Sequence, residues 1–362
     1  MKKNILIVLA GLLVVSLFFS CEPEKVLTDA LATQDVTENI NASTVWKSDK
    51  VYVIKTDLYV YSNLTIEAGT IVKFPTKNGG ITISPSGKII AEGSSSSPIV
   101  FTSYKDDKNG GDSDGVTANP AKGDWGTIKI MDGSNGSIFS YCEFNYGGSD
   151  NGIKYMPTLD LGISNTKVNN CSFYNNGGGY NEKNGSFAGA LDAKDAKDAE
   201  IKNNSFNNNN LPLSINCEMN IDNTNKFSNS TMNAIFVDGI FIQENTKWQE
   251  NEVAFVIVAD NLTIGSGSTL TLAQGVVLKF LDNGRMSLLD GSSALIQHDA
   301  KDVFFTYFSD DDHGGDSDGN GLQTLTKEYY WDGIFTGGYK ATNNYADWTN
   351  ILYANPNPGP VK

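Results

Sequence analysis

The chain has 362 residues, with 42 Asp and Glu against 27 Lys and Arg, a formal net charge of -15 and only 2 His. Such an acid excess leaves nothing to neutralise a phosphate backbone, which excludes a nucleic-acid partner, and two histidines exclude any multi-histidine metal or catalytic centre. The 36 Gly and 39 Asn are the chemistry of turns and strand corners rather than of helices.

Lys2 and Lys3 precede an apolar run from Ile5 to Phe19 that is too short to span a bilayer comfortably. Residues 1–20 therefore read as a signal peptide. Leu17-Phe18-Phe19-Ser20-Cys21 resembles a bacterial lipobox, although Phe18 and Phe19 are bulkier than the usual small residues. The resemblance implies lipidation at Cys21 and membrane contact through that anchor alone. Glu22 and Glu24 resemble the export signal of surface lipoproteins in Gram-negative bacteria, which implies an outer-membrane lipoprotein at the cell surface. Residues 21–44 are polar and aperiodic and read as a flexible tether.

A long internal repeat organises the remainder of the chain. Residues from Trp46 to Thr127 correspond to those from Trp248 to Gly333. Gly69-Thr70-Ile71-Val72-Lys73-Phe74 matches Gly275-Val276-Val277-Leu278-Lys279-Phe280. Val100-Phe101-Thr102 matches Phe304-Phe305-Thr306. Asp106-Asp107 followed by Gly110-Gly111-Asp112-Ser113-Asp114-Gly115 matches Asp310-Asp311 followed by Gly314-Gly315-Asp316-Ser317-Asp318-Gly319, and Trp125 matches Trp331. Short apolar runs such as Ile81-Thr82-Ile83, each closed by Gly, Ser or Pro, predict brief strands separated by turns. The first module occupies 45–245 and includes an Asn-rich region. The second, 246–362, reads as a truncated module with a C-terminal cap.

In the Asn-rich region Cys142-Glu143-Phe144, Cys171-Ser172-Phe173 and Asn204-Ser205-Phe206 recur beside Asn or Gly clusters. This spacing predicts coils in which a small residue and a Phe stack inward and Asn turns the corners. Cys142, Cys171 and Cys217 are expected as buried thiols, with at most one disulfide among them. The segment from Ala188 to Ile201 lacks a helical stripe and reads as strand-turn-strand. Gly69 to Phe74, Pro98 to Ser103 and Gly123-Asp124-Trp125-Gly126-Thr127-Ile128 resemble the right-handed parallel β-helix repeat proteins of bacterial surfaces. The resemblance implies an all-β solenoid built of two related modules.

Two acidic loops are the strongest candidates for chemistry. The first carries Asp106, Asp107, Asp112 and Asp114; the second carries Asp310, Asp311, Asp312, Asp316, Asp318 and Asn320. Clustered carboxylates repel unless compensated, and a hard cation such as Ca²⁺ is the natural compensator. Asp316, Asp318 and Asn320 fall at positions 1, 3 and 5 of an EF-hand-like loop, without its closing Glu. Val116 replaces the third of these in the first loop, and His313 in the second loop reads as incidental. Tyr141, Tyr146, Tyr155, Tyr339 and Tyr345 are candidate ligand-stacking residues, whereas Trp125 and Trp331 are expected to be structural.

Enzyme chemistry finds less support. Arg285 is the sole arginine and no lysine stands in a recognisable catalytic setting. No nucleophile triad, phosphate loop or Cys-pair metal site occurs, and a catalytic carboxylate pair duplicated in both copies is not expected. The sequence therefore predicts a monomeric surface-exposed lipoprotein that binds or scaffolds, with carbohydrate or host-surface ligands. The alternative is a Ca²⁺-dependent polysaccharide lyase or glycoside hydrolase of β-helix type.

Overall fold

Apolar residues recur at every second position in runs of about three to five, so each short strand buries one face and turns before it can lengthen. The computed structural model describes residues 31–150, 152, 154–290, 302–321, 324, 331–336, 340–341 and 350–355. The signal segment, Cys21, Tyr339 and Tyr345 lie outside the described residues. Among the described residues no α-helix occurs, and the chain coils as a parallel β-helix.

One coil shows the construction. Strand Ile71–Phe74 lies in an eight-stranded sheet, Ile81–Ile83 in a ten-stranded sheet and Lys88–Glu92 in a six-stranded sheet, after which Ile99–Ser103 returns to the first. The returning strand pairs in parallel with the one it follows by a full turn, Val72 opposite Phe101. Ala188 to Ile201 is strand-turn-strand as expected, with Leu191–Ala193 and Glu200–Lys202 on different sheets. The expected tether is shorter at its end: Thr33–Val36 already pairs with Val51–Ile54, and Val36 and Ile40 are buried. Their apolar side chains cover the first coil, a role that polar composition around them concealed.

The interior is a set of ladders. Phe101, Phe144, Phe173, Phe206 and Phe227 stack in register with ring centroids 5.1, 4.7, 5.0 and 5.1 Å apart. Those spacings follow the roughly 4.8 Å separation of paired strands. At one corner the Cys142 amide donates to Cys171 Sγ (3.5 Å), the Cys171 amide to Asn204 Oδ1 (2.8 Å) and the Asn204 amide to Asn225 Oδ1 (3.1 Å). At another corner the Gly147 amide donates to Asn176 Oδ1 and the Asn176 amide to Asn209 Oδ1. The residue before each rung takes positive φ: Tyr141, Asn170 and Asn203 on one corner, Tyr146, Asn175 and Asn208 on the other. Asn tolerates that conformation better than most residues and so dominates there.

The two copies do not sit on the same face. Ile71–Phe74 belongs to the eight-stranded sheet, but its counterpart Val277–Phe280 belongs to the ten-stranded one. The eight-stranded sheet ends at Lys226–Ser228, and the later coils run over the ten-stranded sheet, a five-stranded sheet and a two-stranded pair. Internal packing is preserved through this change. Trp125 stacks on Phe74 at 4.2 Å and Trp331 on Phe280 at 4.4 Å. Both indoles are fully buried and donate to backbone carbonyls, Asn145 and Leu352. The expected structural role of these two residues holds.

Candidate functional site: two acidic loops on buried lysines

Each acidic loop leaves the strand that follows the Lys-bearing strand by one coil, then folds back over the outer face of the sheet. Gly110 lies on Val51 and Ile71, where a Cβ would come within 2.5 Å of a Val51 methyl; its φ is 75°. Gly314, at φ 73°, lies on Ala254 and Val277 in the same way, with a Cβ 2.8 Å from that of Ala254. Only glycine permits both the left-handed turn and this close approach.

Beneath each loop is a lysine that points out of the coil yet is fully buried. Lys73 Nζ donates to the carbonyls of Asp106 (2.9 Å) and Gly111 (2.7 Å), and Lys279 Nζ donates to that of Gly315 (2.6 Å). Burial lowers the Lys73 pKa and brings that of Lys279 down to about 8, against the opposing pull of the aspartates. The two lysines align in the duplicated sequence, but their role emerges only from the fold. The detectable signal was a Lys in the middle of an otherwise apolar strand in both copies. The compensating charge expected of a cation is thus partly built in, but one ammonium faces four carboxylates in each copy.

The structure divides the candidate ligands. Carboxylate oxygens of Asp107, Asp112 and Asp114 lie within 4.8 Å of one another, as do those of Asp311, Asp316 and Asp318. Asp106 and Asp310 are not in these triads. Asp106 Oδ2 accepts from the Thr102 hydroxyl (2.7 Å) and from Asn109 Nδ2 (2.8 Å), and Asp310 Oδ2 accepts from the Thr306 hydroxyl (2.5 Å). They brace the base of the loop. His313 Nδ1 stands 2.9 Å from Asp310 Oδ2, in the place of Asn109, so this histidine is structural rather than incidental. Asn320 Nδ2 donates to Asp318 Oδ2 at 2.9 Å, which ties the fifth position of the EF-hand-like pattern to the third.

The triads differ in exposure. Asp112 is exposed while Asp107 and Asp114 are half-buried, and burial with the repulsion of Asp112 and Asp114 raises the Asp107 pKa. Asp311 is only 9% exposed, and neither of its carboxylate oxygens has a hydrogen-bond partner. Burial, reinforced by Asp318, pushes its pKa up to about 6. Both triads fit a hard cation in donor type: carboxylate oxygens set on a sphere of about 2.4 Å radius stand up to about 4.8 Å apart.

A groove of about 450 Å³ adjoins the first triad, lined by Lys77, Tyr104, Lys105, Lys122, Asp114 and Asp124. Lys105 is paired with Asp124 at 2.8 Å, and the Ser103 hydroxyl holds the other oxygen of that carboxylate. Lys122 Nζ reaches Asn210 Oδ1 at 3.3 Å, and burial lowers its pKa. A second groove, of about 580 Å³ and lined by residues including Asn135, Ile163, Asn165 and Asn216, lies at another corner.

The candidate tyrosines among the described residues do not form one surface. Tyr141 and Tyr146 stand at opposite ends of the strand Cys142–Asn145, in corner positions equivalent to Asn170 and Asn175. Tyr141 is 37% exposed, whereas Tyr146 packs against the core. Tyr155 packs on Gly179, where a Cβ would come within 3.1 Å of its ring.

Residues 38–152 match the family model of the pectate-lyase-like β-helix domain, a span that contains the first acidic loop and its groove. No curated protein and no solved structure matches the chain.

Proposed function

We propose that the chain is a monomeric outer-membrane lipoprotein, anchored through Cys21 at the cell surface, that binds or scaffolds carbohydrate or host-surface ligands and holds Ca²⁺ on acidic-loop carboxylates. The groove beside the first loop carries this reading. It mixes polar and apolar surface, and brings three lysines, two carboxylates and the Tyr104 ring together where hydroxyl and acidic groups of a glycan can be bound. An aromatic face with a few fixed polar groups is the usual composition of such sites. Replacing Tyr104 or Lys122 with Ala is expected to weaken retention of a glycan ligand at least tenfold in a glycan-array or affinity-electrophoresis measurement, with the melting temperature unchanged. Undiminished retention in both variants would mean that the ligand binds elsewhere.

One observation favours a Ca²⁺-dependent lyase as the second reading. Lys122 has a lowered pKa and shares its groove with Asp114 of the first triad, inside the span that matches a pectate-lyase-like domain. Burial shifts Lys122 toward the neutral form that can accept a proton, and a cation on the triad would supply charge stabilisation. Unsaturated glycan products formed by the wild type and lost in Lys122→Ala would establish it.

A further inference from the structure

We infer that the second acidic loop, and not the first, is the divalent-cation site, with Asp311, Asp316 and Asp318 as its carboxylate ligands. The inference rests on the cation reading of the acidic loops and decides which of two near-identical loops carries it. It goes beyond the duplication, because sequence equivalence alone predicts two equal sites.

Three differences separate the loops. The first is desolvation. Asp311 is more than nine-tenths buried, at 9% exposure, and both its oxygens are without a partner. A buried carboxylate with no donor costs several kcal/mol unless a charge is supplied. Asp107, its counterpart, is less deeply buried, and only one of its oxygens, Oδ1, is shielded from solvent without a partner. The second difference is support. The tip of the second loop rests on the preceding coils: Gly319 lies against Thr231 and Met232, and the Asn233 amide donates to the Asp316 carbonyl at 2.9 Å. At the tip of the first loop nothing lies within 4 Å of the Cβ position of Gly115. Ordering that open loop around an ion costs entropy that the supported loop has already lost in folding. The third is how Asp112 and its counterpart Asp316 are anchored. Asp112 takes amide bonds from Asp114 and Gly115 on Oδ1 alone, whereas Asp316 is held through both oxygens, by Gly319 N on Oδ1 and Gly321 N on Oδ2, which fixes the carboxylate plane with lone pairs still free for a metal.

Lys279 does not satisfy the site. It spends its short bond on the Gly315 carbonyl and forms no ion pair with any of the three ligands. The loop is held in shape by the lysine and remains short of positive charge, which suits a site that assembles before its ion arrives.

Isothermal titration of the EDTA-treated full chain with CaCl₂, with melting curves on the same samples, tests this. We expect one Ca²⁺ per chain and a rise in melting temperature at millimolar Ca²⁺. Asp311→Asn should abolish both while raising the melting temperature of the ion-free protein, which shows that the variant folds. Asp107→Asn should leave heat, stoichiometry and the Ca²⁺-induced rise unchanged. Two sites of similar affinity, or binding lost in Asp107→Asn and kept in Asp311→Asn, overturn the assignment while leaving the cation reading intact. Absence of heat and of any thermal rise in the wild type overturns both.

Discussion

Buried ionisable side chains are where this sequence departs most from the pattern of a simple solenoid. Asp192 lies on the outer face of the ten-stranded sheet in register with Asp160, and is 5% exposed. Lys194 contacts it at 3.1 Å, yet burial still raises its pKa to about 6, with Asp160 adding to the effect. A carboxyl whose pKa is higher in the folded than in the unfolded state stabilises the fold when protonated. That contribution is full below about 3.8 and is lost as pH rises through about 6. Asp192→Asn is therefore expected to raise stability at pH 7.5 by on the order of 3 kcal/mol, and to change it little at pH 4. Urea denaturation at the two pH values measures this; equal effects at both would refute the assignment. Thiols follow the same logic. Burial raises Cys142 well above the usual range and Cys217 to about 11, in keeping with the expected inert, buried cysteines.

Among the elements, the rung and its corner do most of the specifying. Asn176 is fully buried; its Oδ1 accepts from Gly147, and its Nδ2 donates to the Phe144 carbonyl at 2.9 Å and to Asn209 Oδ1 at 3.0 Å. Asn176→Ala would leave the Gly147 amide and the Phe144 carbonyl without their side-chain partner, which costs about 1–3 kcal/mol for each stranded group. Asn165 also caps a neighbouring amide, that of Gly136, but in solvent, where water replaces it. Asn165→Ala should cost about 0.5 kcal/mol or less. Chemical denaturation midpoints of the two variants decide the comparison, and similar losses would contradict the stabilising role of the ladder. These rungs were legible because Cys142, Cys171 and Asn204 recur two residues before a Phe, and period and residue size alone imply an inward stack. The lysines were not. A Lys flanked by apolar residues in a strand reads as pointing to water, and Lys73 does point outward; the loop that covers it arrives only about 35 residues later in the chain, in a fold-back that no local pattern encodes.

Over the whole molecule, duplication and coiling are separate facts. The matched blocks mark a duplication in the sequence, and alternation with turn signals revealed the parallel β-helix. The face each copy occupies depends on the summed lengths of every corner between them, so the move of the second Lys-bearing strand onto the ten-stranded sheet was not readable from sequence. Its consequence is that two near-identical loops meet different surroundings. One lies beside a lysine-lined groove with an open tip, and the other is closed down on the coils around Thr231. Under the proposals made above, chemistry that looks duplicated in sequence is divided in three dimensions, with the proposed ligand groove at the first loop and the proposed ion site at the second. For the site residues, the acidic loops were legible as clusters. Their sorting into bracing residues, Asp106 and Asp310, and open triads was not, because it depends on which carboxylate faces Thr102 or Thr306.

Everything proposed for the groove turns on whether it binds its ligand without turning it over. The direct test incubates the full chain with a panel of acidic and neutral glycans, with Ca²⁺ or with EDTA, and tracks retention together with unsaturated products and new reducing ends. At least one glycan is expected to be retained intact, in Ca²⁺ and in EDTA alike, because the ion site lies at the other loop. Appearance of unsaturated products or new reducing ends, or absence of retention across the panel, would contradict the proposal.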